Sequence, residues 1–267
     1  MTAEHDAWLP VPDTLARAFA DRHWDLVWQY RDHSLVYRLS GGATDDFFLK
    51  LTPADHYPSP IGEAARMRWA GRFLPVPEVL GSGVEERTAW LATSVLEGKD
   101  GTAPGHLAQP SELVRTLAAG LRQFHDSAPV ADCPFDFRLD AALHHIDARV
   151  AAGLVDPSRD FHPEHQHLSV EDAATILKSS RPRSEDLVAC HGDYCPPNIL
   201  IEDWTVRGFV DLGELGVADR WWDLAAATWS ITWNLGPGYE ELFLAEYGAT
   251  LDPNRSAYYR LMYDLAC

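Results

Sequence analysis

Hydrophobic and polar residues alternate over much of the first third of the chain. Alternation is typical of half-buried β-strands. Strands are therefore predicted over five runs between residues 23 and 96: HWDLVWQY, SLVYRL, DFFLKL, VLGSGV and TAWLATSVL. Polar turns such as SGGATDD separate the first three runs, which indicates an antiparallel meander. One helix, predicted from Ser59 to Phe73 with Pro60 near its start, interrupts the strands.

Apolar residues recur at helical spacing in most of the remaining chain. The runs LVRTLAAGLRQFH, DAALHHIDARVAAGL and VEDAATILKSS predict that residues 110–180 are mostly helical. From Asp219 onward, three more helices are predicted in DRWWDLAAATWSI, YEELFLAEYG and PNRSAYYRLMYDL. Between these two helical parts lie three short β-like segments, DLVAC, NILIE and TVRGFVDL.

The change from alternation to helical spacing falls at a stretch rich in glycine, EGKDGTAPG, at residues 97–105. Such a composition is typical of a linker. We therefore predict an α+β fold, with a small β-rich N-terminal domain at residues 1–97 and a larger, mostly α-helical domain at residues 98–267.

Composition and charge narrow the possible partners. The chain has 267 residues, of which 46% are hydrophobic, and this is enough for a sizeable core. The net charge of −18 disfavours nucleic acid and anionic membranes as partners and favours cationic ones. The same charge would also serve simply as a solvated acidic surface.

The chain lacks the sequence features of an exported or membrane-spanning protein. The N-terminus has no basic segment followed by an apolar run, and no stretch approaches about 18 consecutive apolar residues. The four cysteines, at positions 133, 190, 195 and 267, are scattered without metal-binding spacing. We expect a cytoplasmic protein with reduced thiols.

Two acids and an amide occur at a spacing that phosphoryl transfer uses. Asp193 ends the triplet HGD; Asn198 follows five residues later, and Asp211 eighteen residues later. In that pattern the first Asp accepts the proton of the acceptor hydroxyl, while the Asn and the second Asp hold Mg²⁺ through hard oxygen ligands. Taken singly, HGD is also a common turn and Asp211 a common strand-end cap. The three residues in order favour a kinase.

The segments HGDYCPPN and VDLGELGVADRWWDLA resemble the signature of aminoglycoside phosphotransferases, a family of small-molecule kinases. The resemblance extends over nearly the whole chain. It includes DCPFDFRLD at residues 132–140, which is similar to the same segment in the 3′-phosphotransferase branch. The resemblance implies the two-lobed protein-kinase-like fold, with a nucleotide-binding N-terminal lobe and a C-terminal lobe for catalysis and acceptor binding. It also implies that His191 braces the catalytic loop.

The resemblance further implies which residues meet the nucleotide. Lys50 would pair with the α- and β-phosphates, and Glu63 would orient it, although by themselves they are an ordinary strand-end lysine and an ordinary first-turn acid. The loop in YRDHSLVYRL lacks the glycines of a phosphate-covering loop, so Ser34 is the predicted phosphate contact. Ser94 to Leu96 would form the hinge whose backbone groups meet the purine.

The residues at the implied acceptor site depart in part from the family pattern. Glu214 stands where many 3′-phosphotransferases have Arg, and Trp233 and Asn234 stand where antibiotic-binding acids often lie. Fewer acids leave fewer partners for the ammonium groups of an aminoglycoside. The four-residue spacing of Trp229 and Trp233 also fits a packed apolar stripe on a helix. Asp264 matches a C-terminal acid of the family that reaches the antibiotic.

These observations predict a kinase that uses Mg²⁺ and transfers the γ-phosphoryl group of ATP or GTP to a hydroxyl of a small cationic acceptor. An aminoglycoside antibiotic is the leading acceptor, and the activity would confer resistance. The alternatives are a kinase of another antibiotic or an amino-sugar metabolite, and a kinase-fold binding protein without catalysis. A metal-dependent hydrolase ranks last, because no His-rich ligand set accompanies the acids. We expect no nucleic-acid or membrane partner and no required oligomer.

Overall fold

The structure is a computed structural model, and it describes residues 9–30, 34–42 and 44–266. The chain folds into two compact units: Met1–Glu97 with Gly208–Glu214, and Gly98–Arg207 with Leu215–Cys267. Three sequence-based predictions concern parts outside the described residues: the absence of a signal peptide at residues 1–8, the loop at 31–33, and the thiol of Cys267. The other three cysteines are free thiols.

The first unit is an antiparallel sheet with two helices. Its elements in chain order are α1 (Asp13–Ala18), β1 (His23–Tyr30), β2 (Ser34–Ser40), β3 (Phe47–Pro53), α2 (Pro60–Ala70), β4 (Val79–Glu85) and β5 (Thr88–Ser94). The strand order is β1-β2-β3-β5-β4, and every pair is antiparallel, so the predicted meander is confirmed. Alternate residues of β2 and β3 point to one apolar core; they are Leu35, Tyr37, Leu39, Phe47, Leu49 and Leu51.

Helix α2 begins at Pro60 because Ser59 caps it. The Ser59 hydroxyl accepts a hydrogen bond from the backbone N–H of Gly62 at 3.1 Å, and proline is well suited to the first helical position. The helix packs against β3, β4 and β5. It ends at Ala70, three residues before the predicted end at Phe73.

The second unit is mostly helical. Its helices are α3 (Pro104–Leu107), α4 (Pro110–Ser127), α5 (Leu139–Ala151), α6 (Pro157–Asp160), α7 (Val170–Ser179), α8 (Trp221–Leu235), α9 (Glu240–Tyr247) and α10 (Pro253–Ala266). Helix α4 packs on α9, and α10 packs on α8, α5 and α7. The six helices predicted from apolar spacing are present, so the α+β class is confirmed. Among the described residues, no helix combines the length and apolar character needed to cross a membrane.

Short strands frame the segment that carries the HGD triplet. They are β6 (Lys99–Asp100), β7 (Leu187–Cys190), β8 (Ile199–Glu202), β9 (Thr205–Phe209) and β10 (Gly216–Asp219). β7 ends directly before the triplet and pairs antiparallel with β10. β9 begins in the second unit, and the chain then enters the first unit at Gly208.

The interpretation of residues 97–105 as a linker is wrong from Gly98 onward. Lys99 of β6 pairs with Ile201 of β8, and the N–H of Gly101 donates to the carbonyl of Pro196 at 2.8 Å. A Cβ at Gly101 would come within 2.7 Å of that carbonyl oxygen, so glycine permits this close approach. β6 has only two residues, too few to show an alternating pattern, and so the sequence did not predict it.

Candidate active site

Strand β3 places Lys50 on the face of the sheet opposite the core residues Leu49 and Leu51. Glu63, in the first turn of α2, and Asp211 meet Lys50 on that face. Lys50 Nζ lies 2.8 Å from Glu63 Oε2 and 2.8 Å from Asp211 Oδ1. The first unit therefore joins two acids through one lysine.

In this partly buried cluster the ammonium group of Lys50 attracts both carboxylates, which by themselves repel each other. Burial by itself would lower the pKa of Lys50, but the carboxylates of Asp211 and Glu63 outweigh burial and raise the pKa, so the amine stays charged. Burial raises the pKa of Glu63, and the charge of Lys50 opposes that effect. The Asp211 side chain is 38% exposed and that of Glu63 only 5%, so Asp211 is the acid that a ligand can reach.

The segment around Asp211 has an unusual backbone. Asp211 has a φ of 59°, in the left-handed region that residues other than glycine seldom adopt and that often marks functional sites. The N–H of Leu212 donates to Glu63. A Cβ at Gly213 would come within 2.7 Å of Pro58 Cγ. These contacts hold the segment within the first unit and fix the Asp211 carboxylate.

Asp193 of the HGD triplet is held by two side chains of the second unit. Asn198 Nδ2 donates to Asp193 Oδ2 at 2.9 Å and to its carbonyl oxygen at 3.0 Å. The Tyr263 hydroxyl donates to Asp193 Oδ1 at 2.8 Å. Because the amide nitrogen of Asn198 faces Asp193, its amide oxygen points away from that carboxylate. An oxygen in this arrangement suits a hard metal ligand.

A buried acid, Asp223 in the first turn of α8, anchors the backbone of the triplet. Its carboxylate accepts the N–H of His191 at 2.7 Å and that of Gly192 at 2.9 Å. His125 Nε2 lies 2.9 Å from the same carboxylate, and His125 Nδ1 lies 2.7 Å from the Tyr247 hydroxyl. Asp223, His125 and His191 are all buried. The loop that carries Asp193 is thus tied to α8 from within the core.

The predicted phosphate contact and hinge lie in the first unit. Ser34 opens β2 and is buried, and its hydroxyl forms no hydrogen bond with the residues that the structure describes. Ser94 ends β5, where its hydroxyl accepts the N–H of Glu78 at 2.9 Å and its own N–H donates to the Glu78 carbonyl. Leu96 is half-buried, and its side chain lies against Gly208.

Three of the predicted acceptor contacts differ widely in exposure and bonding. Trp233 is 73% exposed, whereas Trp229 is buried, so the packed-stripe interpretation holds for Trp229 only. The Asn234 amide donates to the carbonyl and the hydroxyl of Ser230 at 2.8 and 3.3 Å, which ties it to its own helix. Glu214 is half-buried at the end of the segment that belongs to the first unit.

Asp264, the fourth predicted acceptor contact, is buried and already bonded. It accepts the N–H of His162 at 3.1 Å, and His165 Nδ1 lies 2.6 Å from it. Burial raises the pKa of Asp264, while His165 opposes this. The His162 ring stands against Trp229, with ring centroids 3.7 Å apart, and its edge faces Trp233 at 6.0 Å. Asp264 therefore holds the segment that presents His162 beside the exposed Trp233.

Sequence reasoning missed three residues of this site: Tyr263, Asp223 and His162. Tyr263 lies 70 positions after the aspartate that it contacts, so no spacing rule could find it. Asp223 stood within the segment VADRWWDLA, where an acid among apolar residues in a predicted helix was the available signal. Nothing in the sequence around His162 pointed to its contact with Trp229.

Comparisons with known proteins show which family has this sequence. A family model described as "Phosphotransferase enzyme family" matches residues 7–261. The chain is 36% identical over 263 residues to an aminoglycoside 3′-phosphotransferase of Streptomyces fradiae, with 93% of this chain and 97% of the relative covered. It is 35% identical over 267 residues to the enzyme of the same name from Streptomyces ribosidificus, with 94% and 98% covered.

Solved structures give the same result at the level of the fold. An aminoglycoside-3′-phosphotransferase of type VIII superposes with a TM-score of 0.83 at 32% identity, covering 94% of this chain and 96% of that one. The phosphotransferase APH(3″)-Id from Streptomyces rimosus, in complex with ADP and streptomycin, has a TM-score of 0.75 at 28% identity, covering 95% and 96%. The predicted protein-kinase-like fold and the predicted family are both confirmed. The chain belongs to the phosphotransferase enzyme family and is similar along nearly its whole length to aminoglycoside 3′-phosphotransferases.

Proposed function

We propose that this protein is a kinase that transfers the γ-phosphoryl group of ATP or GTP to a hydroxyl of an aminoglycoside, and that it confers antibiotic resistance. The observation that carries the proposal is the bonding of Asp193, whose carboxylate is fixed by Asn198 and Tyr263. The names of the relatives support the acceptor class: aminoglycoside 3′-phosphotransferases, and an aminoglycoside phosphotransferase with bound ADP and streptomycin.

The first unit is assigned to the nucleotide. Lys50 supplies a charge to the α- and β-phosphates, and Glu63 keeps its amine in place. The backbone from Ser94 to Leu96 is assigned to the purine edge, and Ser34 to the phosphates. The second unit, residues 98–267 apart from 208–214, is assigned to catalysis and acceptor binding.

Asp193 is the base of the proposed reaction. Its carboxylate orients the acceptor hydroxyl and accepts its proton as the acceptor oxygen forms a bond to the γ-phosphorus. The bond between the γ-phosphorus and the β–γ bridging oxygen breaks, and ADP or GDP leaves. An ionised carboxylate suits this role because it only accepts hydrogen bonds, and so it draws the acceptor hydroxyl into the required orientation.

Asn198 and Asp211 are the proposed Mg²⁺ ligands. An amide oxygen that points away from Asp193 and a 38%-exposed carboxylate are hard oxygen donors of the kind that Mg²⁺ prefers. When bound, Mg²⁺ neutralises charge that develops on the phosphates during transfer. Lys50 fixes one oxygen of Asp211 through its ammonium group and so limits the rotation of that carboxylate.

Lys50→Met is expected to weaken Mg²⁺–nucleotide binding about 10- to 100-fold, because it removes a charged hydrogen-bond donor assigned to the phosphates. The measurement is the rise in melting temperature during nucleotide titration, which falls as affinity falls. Lys178→Met is the matched control, since Lys178 forms an exposed ion pair with Asp147 and should bind nucleotide normally. Equal nucleotide titration curves for the two variants would remove Lys50 from the nucleotide site.

The acidic net charge and several side chains of the protein favour a cationic acceptor. The net charge of −18 would speed the approach of a polycationic acceptor at a rate that falls with added salt. Glu214, the exposed Trp233 and Asn234 are proposed as direct contacts of the acceptor. Asp264 is proposed to act on the acceptor site through the segment containing His162 that it holds. The exposed Trp233 favours the second candidate, a kinase of a different small cationic molecule, because an indole attracts a cation without a carboxylate.

An acceptor panel tests the proposal. Purified protein would be assayed for consumption of ATP and, separately, of GTP, in the presence of aminoglycosides, other antibiotics and amino sugars. The proposal predicts consumption stimulated by at least one aminoglycoside, with phosphorylated product detected by mass spectrometry. Stimulation only by other acceptors would establish the second candidate. Nucleotide binding without transfer to any acceptor would favour a non-catalytic binding protein.

The proposed setting is the cytoplasm, where ATP, GTP and Mg²⁺ are supplied. Free thiols at Cys133, Cys190 and Cys195 fit a reducing compartment. Burial raises the pKa of the Cys190 thiol well above its usual range, so this thiol stays protonated and unreactive. The proposed reaction needs one chain, one nucleotide and one acceptor, without a protein, nucleic-acid or membrane partner.

A further inference from the structure

We propose that Tyr263 is a positioning residue for phosphoryl transfer, which acts by fixing the carboxylate of Asp193 in the orientation that receives the acceptor hydroxyl. This inference rests on the proposed function, because it assigns a role to a contact of the proposed base. Tyr263 lies on α10, near the end of the chain, and the HGD triplet follows β7.

Both oxygens of the Asp193 carboxylate are held, each by a different donor. The Tyr263 hydroxyl is 2.8 Å from Oδ1, and Asn198 Nδ2 is 2.9 Å from Oδ2. Together, the two donors oppose rotation of the carboxylate about its bond to Cβ. A carboxylate offers about four acceptor positions. Hydrogen bonds from Asn198 and Tyr263 are therefore compatible with a further one from a substrate hydroxyl to the same carboxylate.

Helix α8 holds both Tyr263 and the backbone of the catalytic loop. The Tyr263 ring packs on two tryptophans of α8, Trp222 and Trp229, with centroid distances of 5.6 and 6.5 Å. Asp223, next to Trp222 on the same helix, accepts the two backbone N–H groups that precede Asp193. One rigid helix thus sets the position of the loop backbone and of the hydroxyl that orients the side chain. Such support restricts a reacting group to a narrow range of geometry.

Removal of the hydroxyl should therefore affect the chemical step more than binding. Tyr263→Phe keeps the ring that packs on α8 and deletes the hydroxyl that donates to Asp193. We expect kcat to fall about tenfold or more, which corresponds to the loss of one hydrogen bond to a charged group. The nucleotide dissociation constant and the melting temperature should stay near those of the wild type. The KM for the acceptor should change by less than kcat.

Tyr259→Phe is the matched control. Tyr259 lies one helical turn before Tyr263 on α10 and is buried, and its hydroxyl forms no hydrogen bond with the residues that the structure describes. Removal of the Tyr259 hydroxyl measures how much kcat changes when any buried tyrosine hydroxyl is deleted from this helix. Wild-type kcat is expected for Tyr259→Phe. If both variants lowered kcat equally, the effect would belong to α10 as a whole and the inference would fail.

A double-mutant cycle with Asp193→Asn separates positioning from general damage. If Tyr263 acts only through Asp193, Tyr263→Phe will cause little further loss once Asp193 is replaced, in single-turnover transfer of labelled γ-phosphate. Additive losses would overturn the inference, and so would a kcat equal to the wild type or above it. The proposed function fails in a different way, since the wild type would then transfer phosphate to no aminoglycoside.

Discussion

Asp193→Ala is expected to lower phosphoryl transfer about 100- to 10,000-fold, the range typical of a lost general base. Nucleotide binding should be nearly unchanged, because the residues assigned to the nucleotide, such as Lys50 and Glu63, belong to the first unit of the chain. The loss should appear in kcat, since the acceptor hydroxyl would lose both its orienting contact and its proton acceptor.

The measurement is steady-state transfer to the acceptor found in the panel, together with nucleotide titration by thermal shift. Asp147→Ala is a suitable control, because Asp147 is an exposed acid of the second unit that pairs only at the surface with Lys178. The control should keep wild-type transfer. Near-native turnover of Asp193→Ala on the true acceptor would contradict the assignment of the base.

Asp223→Ala is expected to reduce the free energy of unfolding by about 3–5 kcal/mol, because three buried donors would lose their acceptor at once. These donors are the N–H groups of His191 and Gly192 and the ring of His125. The substitution also leaves a cavity in the core near α8. Transfer should fall as well, since the backbone before Asp193 would lose its anchor.

Thermal and urea unfolding would measure this effect, with a fall in melting temperature of about 10 °C expected for a protein of this size. Asp223→Asn should recover part of the stability, because its amide oxygen still accepts one or two of the three hydrogen bonds. Asp147→Ala again provides the surface control, where an exposed ion pair contributes about 0.2–1 kcal/mol. A melting temperature for Asp223→Ala equal to that of the control would show that Asp223 does not anchor the loop.

The backbone and the side chain of the HGD triplet are held by different residues. Asp223 fixes the backbone through hydrogen bonds inside the core, and Asn198 with Tyr263 fixes the side chain of Asp193. Loss of the backbone hydrogen bonds to Asp223 should therefore lower both the melting temperature and the rate of transfer. Loss of the side-chain hydrogen bonds to Asp193 should lower the rate of transfer with little change in melting temperature, so experiment can distinguish the two kinds of support.

Local sequence determined the elements and the chemistry of this protein. Alternation and helical spacing depend only on near neighbours along the chain, so the strands of the sheet and six helices could be predicted from them. The spacing of Asp193, Asn198 and Asp211 is also local, and by itself it indicates phosphoryl transfer. Elements without such a pattern were missed, as with β6, whose two residues are too few to show alternation.

Only the tertiary structure decided which residues support the reacting groups. Tyr263 reaches Asp193 across 70 positions, and His125 reaches Asp223 across 98, because packed helices bring them together. The structure also distinguished Trp229 from Trp233, which share a helix but differ in what packs against them. Contacts of this kind depend on how elements pack and not on the period within any one of them. The sequence therefore identified Asp193 as the candidate base, and the fold identified the residues that hold it in place.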